Sequence, residues 1–159
     1  MPNVPATTST LIRPAKPTDI ARIASFNIAM AWETEKVRLN AYTVEHGVQA
    51  AVEDPAKGRY FIAEIDGNMV GCLMVTHEWS DWRNGDIWWV QSVYVDPNHR
   101  RKGVFSALYK HVEAEAIHSS VVAIRLYVEH DNQAGKTTYG KLGLALTHYD
   151  VMERDLRNL

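Results

Sequence analysis

The apolar positions change period several times along the chain, and each change marks an element. Thr10–Arg13 is a short strand candidate stopped by Pro14. Ile20, Ile23, Ala24, Asn27, Ile28, Ala31 and Trp32 fall on one stripe at helical spacing. They predict a helix that begins at Pro17-Thr18-Asp19, with Thr18 or Asp19 as N-cap, and runs to about Trp32. Thr43 to about Glu53 reads as a second helix, weakened by Gly47 and ended near Pro55. Arg59–Ile65 and Met69–Trp79 read as strands joined by Asp66-Gly67-Asn68, a hairpin turn of the Asp-Gly kind. A polar loop, Ser80–Asp86, leads into the next strand of this meander, Ile87–Val95.

That strand stops at Asp96-Pro97, and Val104, Leu108 and Val112, four residues apart, open a helix of about Gly103–His118. Between them stand Arg100, Arg101, Lys102 and Gly103. A basic, glycine-containing loop at a helix N-terminus combines free backbone N–H groups, a positive dipole end and cationic side chains, which favours a phosphate. Val121–Glu129 follows, a run of β-branched and apolar residues that reads as a buried central strand. Because a helix precedes it, it should pair parallel to the strand ending at Val95. Asp131-Asn132 opens another helix to about Leu142, weakened by Gly135 and Gly140, with Gly143 suited to its C-terminal turn. Leu144–Arg154 is strand-like again, as one bent or two short strands.

Composition narrows the function classes. At 159 residues the chain is long enough for one domain and too short for two ordinary ones. The first nine residues, short, polar and proline-containing, read as a flexible leader, and residues 10–159 as a single domain. A net charge of −2 supplies no basic field for nucleic acid. No apolar run approaches the ~20 residues that cross a bilayer, and no signal peptide is visible, so a cytoplasmic location follows by default. The only cysteine, Cys72, excludes an intramolecular disulfide and sits in the apolar run Val70–Val75, so it reads as a buried structural thiol. His111 and His118 share a helix face but lie two turns apart, about 10.5 Å, too far for one metal ion. No metal is expected. Ser-His-Asp patterns, Walker loops and dinucleotide fingerprints are absent.

Two motifs in order, separated by a helix and a strand, resemble those of the GNAT superfamily of acyl-CoA-dependent N-acetyltransferases. The first is the strand and turn Ser92-Val93-Tyr94-Val95-Asp96-Pro97 followed by a loop in which Arg100 and Gly103 match the first and fourth positions of R/Q-x-x-G-x-G/A. Phe105 stands at the sixth, where the family usually has Gly or Ala. The second is Asn132 to Leu144, N-Q-A-G-K-T-T-Y-G-K-L-G-L, against N-x-x-A-x-x-x-Y-x-K-x-G-F. Asn132, Tyr139, Lys141 and Gly143 match, while Gly135 replaces Ala and Leu144 replaces Phe. The resemblance covers about Thr10 to Arg154. It implies an α/β (α+β) fold: a mixed, mostly antiparallel sheet of six or seven strands flanked by about four helices.

It also implies a chemistry. Acyl transfer from a thioester to an amine needs a held cofactor, a free-base amine, a stabilised oxyanion and a proton for the leaving thiolate. By resemblance, acetyl-CoA is the co-substrate. Its diphosphate would meet the backbone of Arg101, Lys102, Gly103, Val104, Phe105 and Ser106, with Arg100 adding charge. Its pantetheine arm would run along Val93, Tyr94 and Val95 and touch Asn132. The oxyanion donor would be a backbone N–H near Val93, and Tyr139 the acid for the thiolate. The base stays open among Glu78, Glu33 and Asp86. Trp89 stands where some family members carry a catalytic Glu, which points to a water-relayed base or one from another element.

Trp79, Trp82, Trp88, Trp89 and Trp32 suggest either an aromatic acceptor pocket or ordinary core plus a subunit interface. Strand alternation puts Trp88 and Trp89 on opposite faces. The expected enzyme is an acetyl-CoA-dependent N-acetyltransferase, acting by direct attack in a ternary complex on a small-molecule or peptide primary amine. A homodimer is left open, with neither nucleic acid nor membrane as partner. The alternative is a non-catalytic acyl-CoA-binding or regulatory module on the same fold.

Overall fold

A computed structural model of the chain describes residues 9–157. The leader expected over residues 1–9 lies, save for its last residue, outside them. The described residues form two compact units that divide after Tyr127. In the first, β1 (Leu11–Pro14), α1 (Ile20–Glu35), α2 (Ala41–Glu53), β2 (Arg59–Ile65), β3 (Asn68–Ser80), β4 (Gly85–Val95), α3 (Val104–His118) and β5 (Ala123–Leu126) follow in chain order.

The strands make one sheet in the order β1-β2-β3-β4-β5. Neighbours are antiparallel except β4 and β5, which are parallel as a helical crossover requires. Alternate residues of β2 and β3 bury on opposite faces, which is why these strands read as almost continuous apolar runs. Phe61, Leu73 and Val75 pack with Val104, Leu108 and Val112 of α3. Ile62 and Cys72 pack with Ile23 and Phe26 of α1 and Val48 of α2. The Asp-Gly hairpin forms as expected, with Asp66 at φ 51° and Gly67 at φ 73°. Two positive φ values in succession give the turn a twist that matches right-handed strands.

Helix starts differ from the sequence reading because the capping groups go elsewhere. Pro17–Asp19 is a single 3-10 turn before α1, and no side-chain cap bond forms there. The Asp19 carboxylate is taken by Arg13, at 2.7 and 3.0 Å, and by the Lys16 N–H. Arg13 also donates from Nε to Glu64. Its hydrogen bonds hold Asp19 below the usual carboxylate range. A carboxylate depressed in the folded state adds stability at pH above its unfolded value, and that contribution is lost as pH falls through the folded value. Arg13→Met leaves two mostly buried carboxylates without their cation. It should cost about 3 kcal/mol at pH 7 and less as pH falls through the folded value of Asp19, read from urea unfolding across that range. Helix α2 begins at Ala41, two residues earlier than expected, because the Asn40 side chain accepts the Thr43 N–H at 3.0 Å.

β5 is shorter than predicted and lies at the sheet edge, half-buried, where a buried central strand was expected. Val121 closes the end of α3 by donating to Ala116, so regular pairing starts only at Ala123. The second unit holds one helix, α4 (Gln133–Lys141), followed by Gly143 at φ 89°. Leu144–Arg154 forms no strand, and the described sheet has five strands against the six or seven expected. A strand exists only through a ladder partner. Within residues 128–157 the backbone finds none, and Leu146, Tyr149, Val151 and Met152 stay exposed. No helix among the described residues is long and apolar enough to cross a membrane.

Candidate active site

The site grows out of an irregularity in β4. Tyr94 stands opposite Cys72, but Gln91 stands opposite Met74, so Ser92 and Val93 together face the single residue Leu73. Ser92 absorbs the extra residue by turning left-handed, at φ 49°. The Tyr60 phenol accepts the buried Asn27 amide at 3.1 Å. The bulge shifts the alternation. Trp88 and Val90 pack on the α3 face before it, and Val93 and Val95 pack on that same face after it.

β5 follows β4 only over Ile87–Val90 and ends at Leu126. Within residues 9–127, β4 therefore continues past Val90 with no strand on that side. The Asp96 N–H donates to Val70 O at 2.8 Å. Tyr94 and Asp96 thus turn their main-chain groups toward β3, and by alternation Val93 and Val95 turn theirs to the vacated edge.

That edge runs into the loop. The Asp96 carboxylate accepts the Asn98 N–H at 2.9 Å and starts the 3-10 turn Pro97–His99. Arg101 at φ 60° and Gly103 at φ 80° are both left-handed. Such residues interleaved with ordinary ones curl successive N–H groups toward one point. Gly103 is the N-cap of α3 and supplies no capping side chain. The N–H groups of Val104 and Ser106 lie in the first turn, ahead of any helical acceptor, at the positive end of a 15-residue helix. Phe105 is half-buried, its ring 6.2 Å from that of Tyr109 one turn on. An extended free strand edge leading into such a cradle fits a long ligand with a diphosphate at one end.

The remaining candidates scatter. Lys102 Nζ donates to Asn98 O, and Arg101 is exposed. Arg100 donates from Nε to Val95 O at 2.9 Å and from Nη2 to Glu33 Oε2 at 2.7 Å. The other Glu33 oxygen accepts the Tyr94 hydroxyl at 2.8 Å. These bonds hold the Glu33 carboxyl below its ordinary value, Arg100 contributing most. Glu78 pairs with Arg125 at 3.0 Å. It stands opposite Ile87, six residues from Val93, or about 20 Å along the strand. Burial pushes the Cys72 thiol up to about 12, so it stays protonated and unreactive.

The tryptophans do not form one cage. Trp88 is buried on the α3 face beneath Arg59, 4.6 Å from its ring centroid, and Trp89 stacks on Tyr127 at 4.7 Å. Trp79 and Trp82 are exposed around the β3–β4 turn, and Arg38 lies over Trp32. In the second unit, Asn132 caps α4 by accepting the Gly135 N–H at 2.8 Å. A Cβ on Gly135 would lie 2.6 Å from the Asn132 amide nitrogen. Tyr139 is half-buried on α4, and burial pushes its phenol up. Among the described residues no three His, Cys, Asp or Glu side chains gather as metal ligands.

Sequence reasoning missed Ser92, whose left-handed backbone makes the bulge. The signal was present: the apolar series Trp88, Val90, Val93, Val95 contains one step of three among steps of two.

Comparisons with known proteins bear on the family and the fold. The sequence model of the acetyltransferase (GNAT) family matches residues 20–144. A possible acetyltransferase from Clostridium difficile 630 is 38% identical, with TM-score 0.86 over 92% of this chain and 97% of that one. The ribosomal-protein-alanine N-acetyltransferase of Brucella melitensis biovar Abortus 2308 shares the fold at 21% identity, TM-score 0.74, over 92% of this chain and 100% of that one. A predicted acetyltransferase with acetyl-CoA from Clostridium acetobutylicum does so at 17% identity, TM-score 0.76, over 95% and 99%. No curated protein matches the sequence. With the family pattern spanning most of the chain and the fold to go with it, this protein belongs to the GNAT family of acetyltransferases.

Proposed function

We propose that the protein transfers the acetyl group of acetyl-CoA to a primary amine by direct attack in a ternary complex. The observation that carries this is the free edge of β4 past the Ser92 bulge, continuous with the uncapped N-terminus of α3. When bound, acetyl-CoA supplies an activated acyl group as a thioester, whose carbonyl carbon the amine attacks while the carbon–sulfur bond breaks. The N–H groups of Arg101 to Ser106 hold the diphosphate, with Arg101 and Lys102 as nearby cations. Val93 and the N–H of Val95, whose carbonyl already accepts from Arg100, pair with the amide-bearing arm, and the Val93 N–H donates to the carbonyl oxygen as it gains charge. Asn132 offers its amide to the arm, and Tyr139 gives its proton to the departing sulfur.

The amine must lose a proton, and neither Glu78 nor Glu33 is well disposed to take it. Glu78 stands about 20 Å down the strand, and both Glu33 oxygens are already bonded. Water is the better acceptor here. The test is thiol release from acetyl-CoA in the presence of a panel of amines: polyamines, amino acids, aminoglycosides, lysine peptides and peptides with free N-termini. Amine-dependent release with an N-acetylated product is expected. Binding of acetyl-CoA without turnover across the panel would favour a non-catalytic acyl-CoA-binding module instead.

A further inference from the structure

Glu33 lies in the last turn of α1, sixty-seven residues before Arg100, yet the two are joined at 2.7 Å. Three further contacts complete a closed ring. Glu33 accepts the Tyr94 hydroxyl, Arg100 donates to Val95 O, and the Arg100 guanidinium lies 5.3 Å from the centroid of the Tyr94 ring. The ring ties a helix, the last residues of β4 and the entry of the loop. A second tie lies nearby: Arg22, near the start of α1, reaches Asp96 at 3.6 Å. The guanidinium is thus committed to Val95 O, Glu33 and the Tyr94 face, and its charge is met locally by a carboxylate. It is badly placed to serve as a phosphate ligand and well placed to fix where the loop begins.

We propose that Glu33 is a positioning residue for acetyl-CoA. Through Arg100 it clamps the loop so that the N–H groups of residues 101–106 face one point before ligand arrives. This rests on the acetyl-CoA reading above and assigns Glu33 a part other than base. The loop needs such a clamp because its shape depends on two left-handed residues, one of which, Arg101, is not glycine. A non-glycine residue there is held only if its surroundings fix it. If losing the clamp leaves the loop competent about a tenth of the time, the apparent Kd rises about tenfold with no change in chemistry.

The test combines Glu33→Gln, Arg100→Gln, the double variant and Tyr94→Phe. Hydrogen exchange in the free protein reads the clamp without ligand. Amides of residues 101–106 should exchange faster in Glu33→Gln, with those of β2 and β3 unchanged. Calorimetry and kinetics read its consequence. Kd and KM for acetyl-CoA should rise about tenfold in each of Glu33→Gln and Arg100→Gln, no further in the double variant, and less in Tyr94→Phe, with kcat and its pH profile kept. Unchanged exchange at 101–106 overturns the clamp, whatever happens to binding. A fall in kcat with loss of the acidic limb of the pH profile and an unchanged KM overturns it in favour of Glu33 as base. Faster exchange in Glu33→Gln beside a wild type that binds no acetyl-CoA would sink the acetyl-CoA reading, and with it the ligand half of this proposal, while leaving the clamp itself.

Discussion

Tyr139→Phe should lower kcat by about 10²–10⁴-fold and leave acetyl-CoA affinity within about twofold, the range for removing a positioned general acid. The ring stays, so packing of α4 is kept and only the hydroxyl is lost. Burial raises the phenol above its ordinary value, so it remains protonated through neutral and moderately alkaline pH. The sign follows: a raised value keeps the acid form available to higher pH. Wild-type kcat should therefore show no basic limb from this group below about pH 10, the ordinary phenol value. Thiol release under saturating amine measures both quantities. Unchanged turnover in Tyr139→Phe would remove the assignment.

Gly103→Val should have the next largest effect, on binding. A Cβ at this position meets nothing within 4 Å, so crowding is not the obstacle. The obstacle is φ 80°, a left-handed conformation that costs an L-residue about 1–2 kcal/mol, and a β-branched one more. To escape it the backbone must rotate at the N-cap of α3, and the N–H groups of the cradle turn away. KM for acetyl-CoA should rise at least tenfold, roughly what 1.4 kcal/mol of lost loop order produces. Tm should fall by about 2–8 °C, the equivalent of 1–2 kcal/mol in a chain of this size. A fall in Tm with unchanged KM would make Gly103 a folding residue only and would detach the cradle from the cofactor.

What was legible in the sequence was what local chemistry decides. Asp66-Gly67 specified a hairpin, Asp96-Pro97 a strand end, and Gly103 ahead of Val104, Leu108 and Val112 a helix start. The parallel pairing of β5 with β4 followed from the helical crossover once α3 was recognised. The phosphate-friendly loop was legible for the same reason, because its glycine, its cations and its helix are contiguous.

What was not legible depends on partners far away in the chain. Asp19 looks like an N-cap until Arg13, held to Glu64 across the β1–β2 pair, takes its carboxylate. Leu144–Arg154 has the composition of a strand, but composition supplies no ladder partner. Arg100 looks like a phosphate ligand until Glu33 is placed within 2.7 Å of it. Glu33 and Glu78 look alike as acids near the acceptor side, and only the β3–β4 register shows how far Glu78 lies from Val93. The bulge at Ser92 is intermediate. Its signature is in the apolar spacing, yet its consequence, that Val93 and Val95 share a face with Val90, is visible only in the sheet.

The most direct test of the central claim is a crystal structure of the chain with acetyl-CoA. The account predicts the diphosphate on the N–H groups of residues 101–106 and the pantetheine amides paired with the main chain of Val93 and Val95, with the thioester carbonyl within hydrogen-bond reach of the Val93 N–H. Acetyl-CoA bound elsewhere, or an edge of β4 closed by another strand in the crystal, would contradict it.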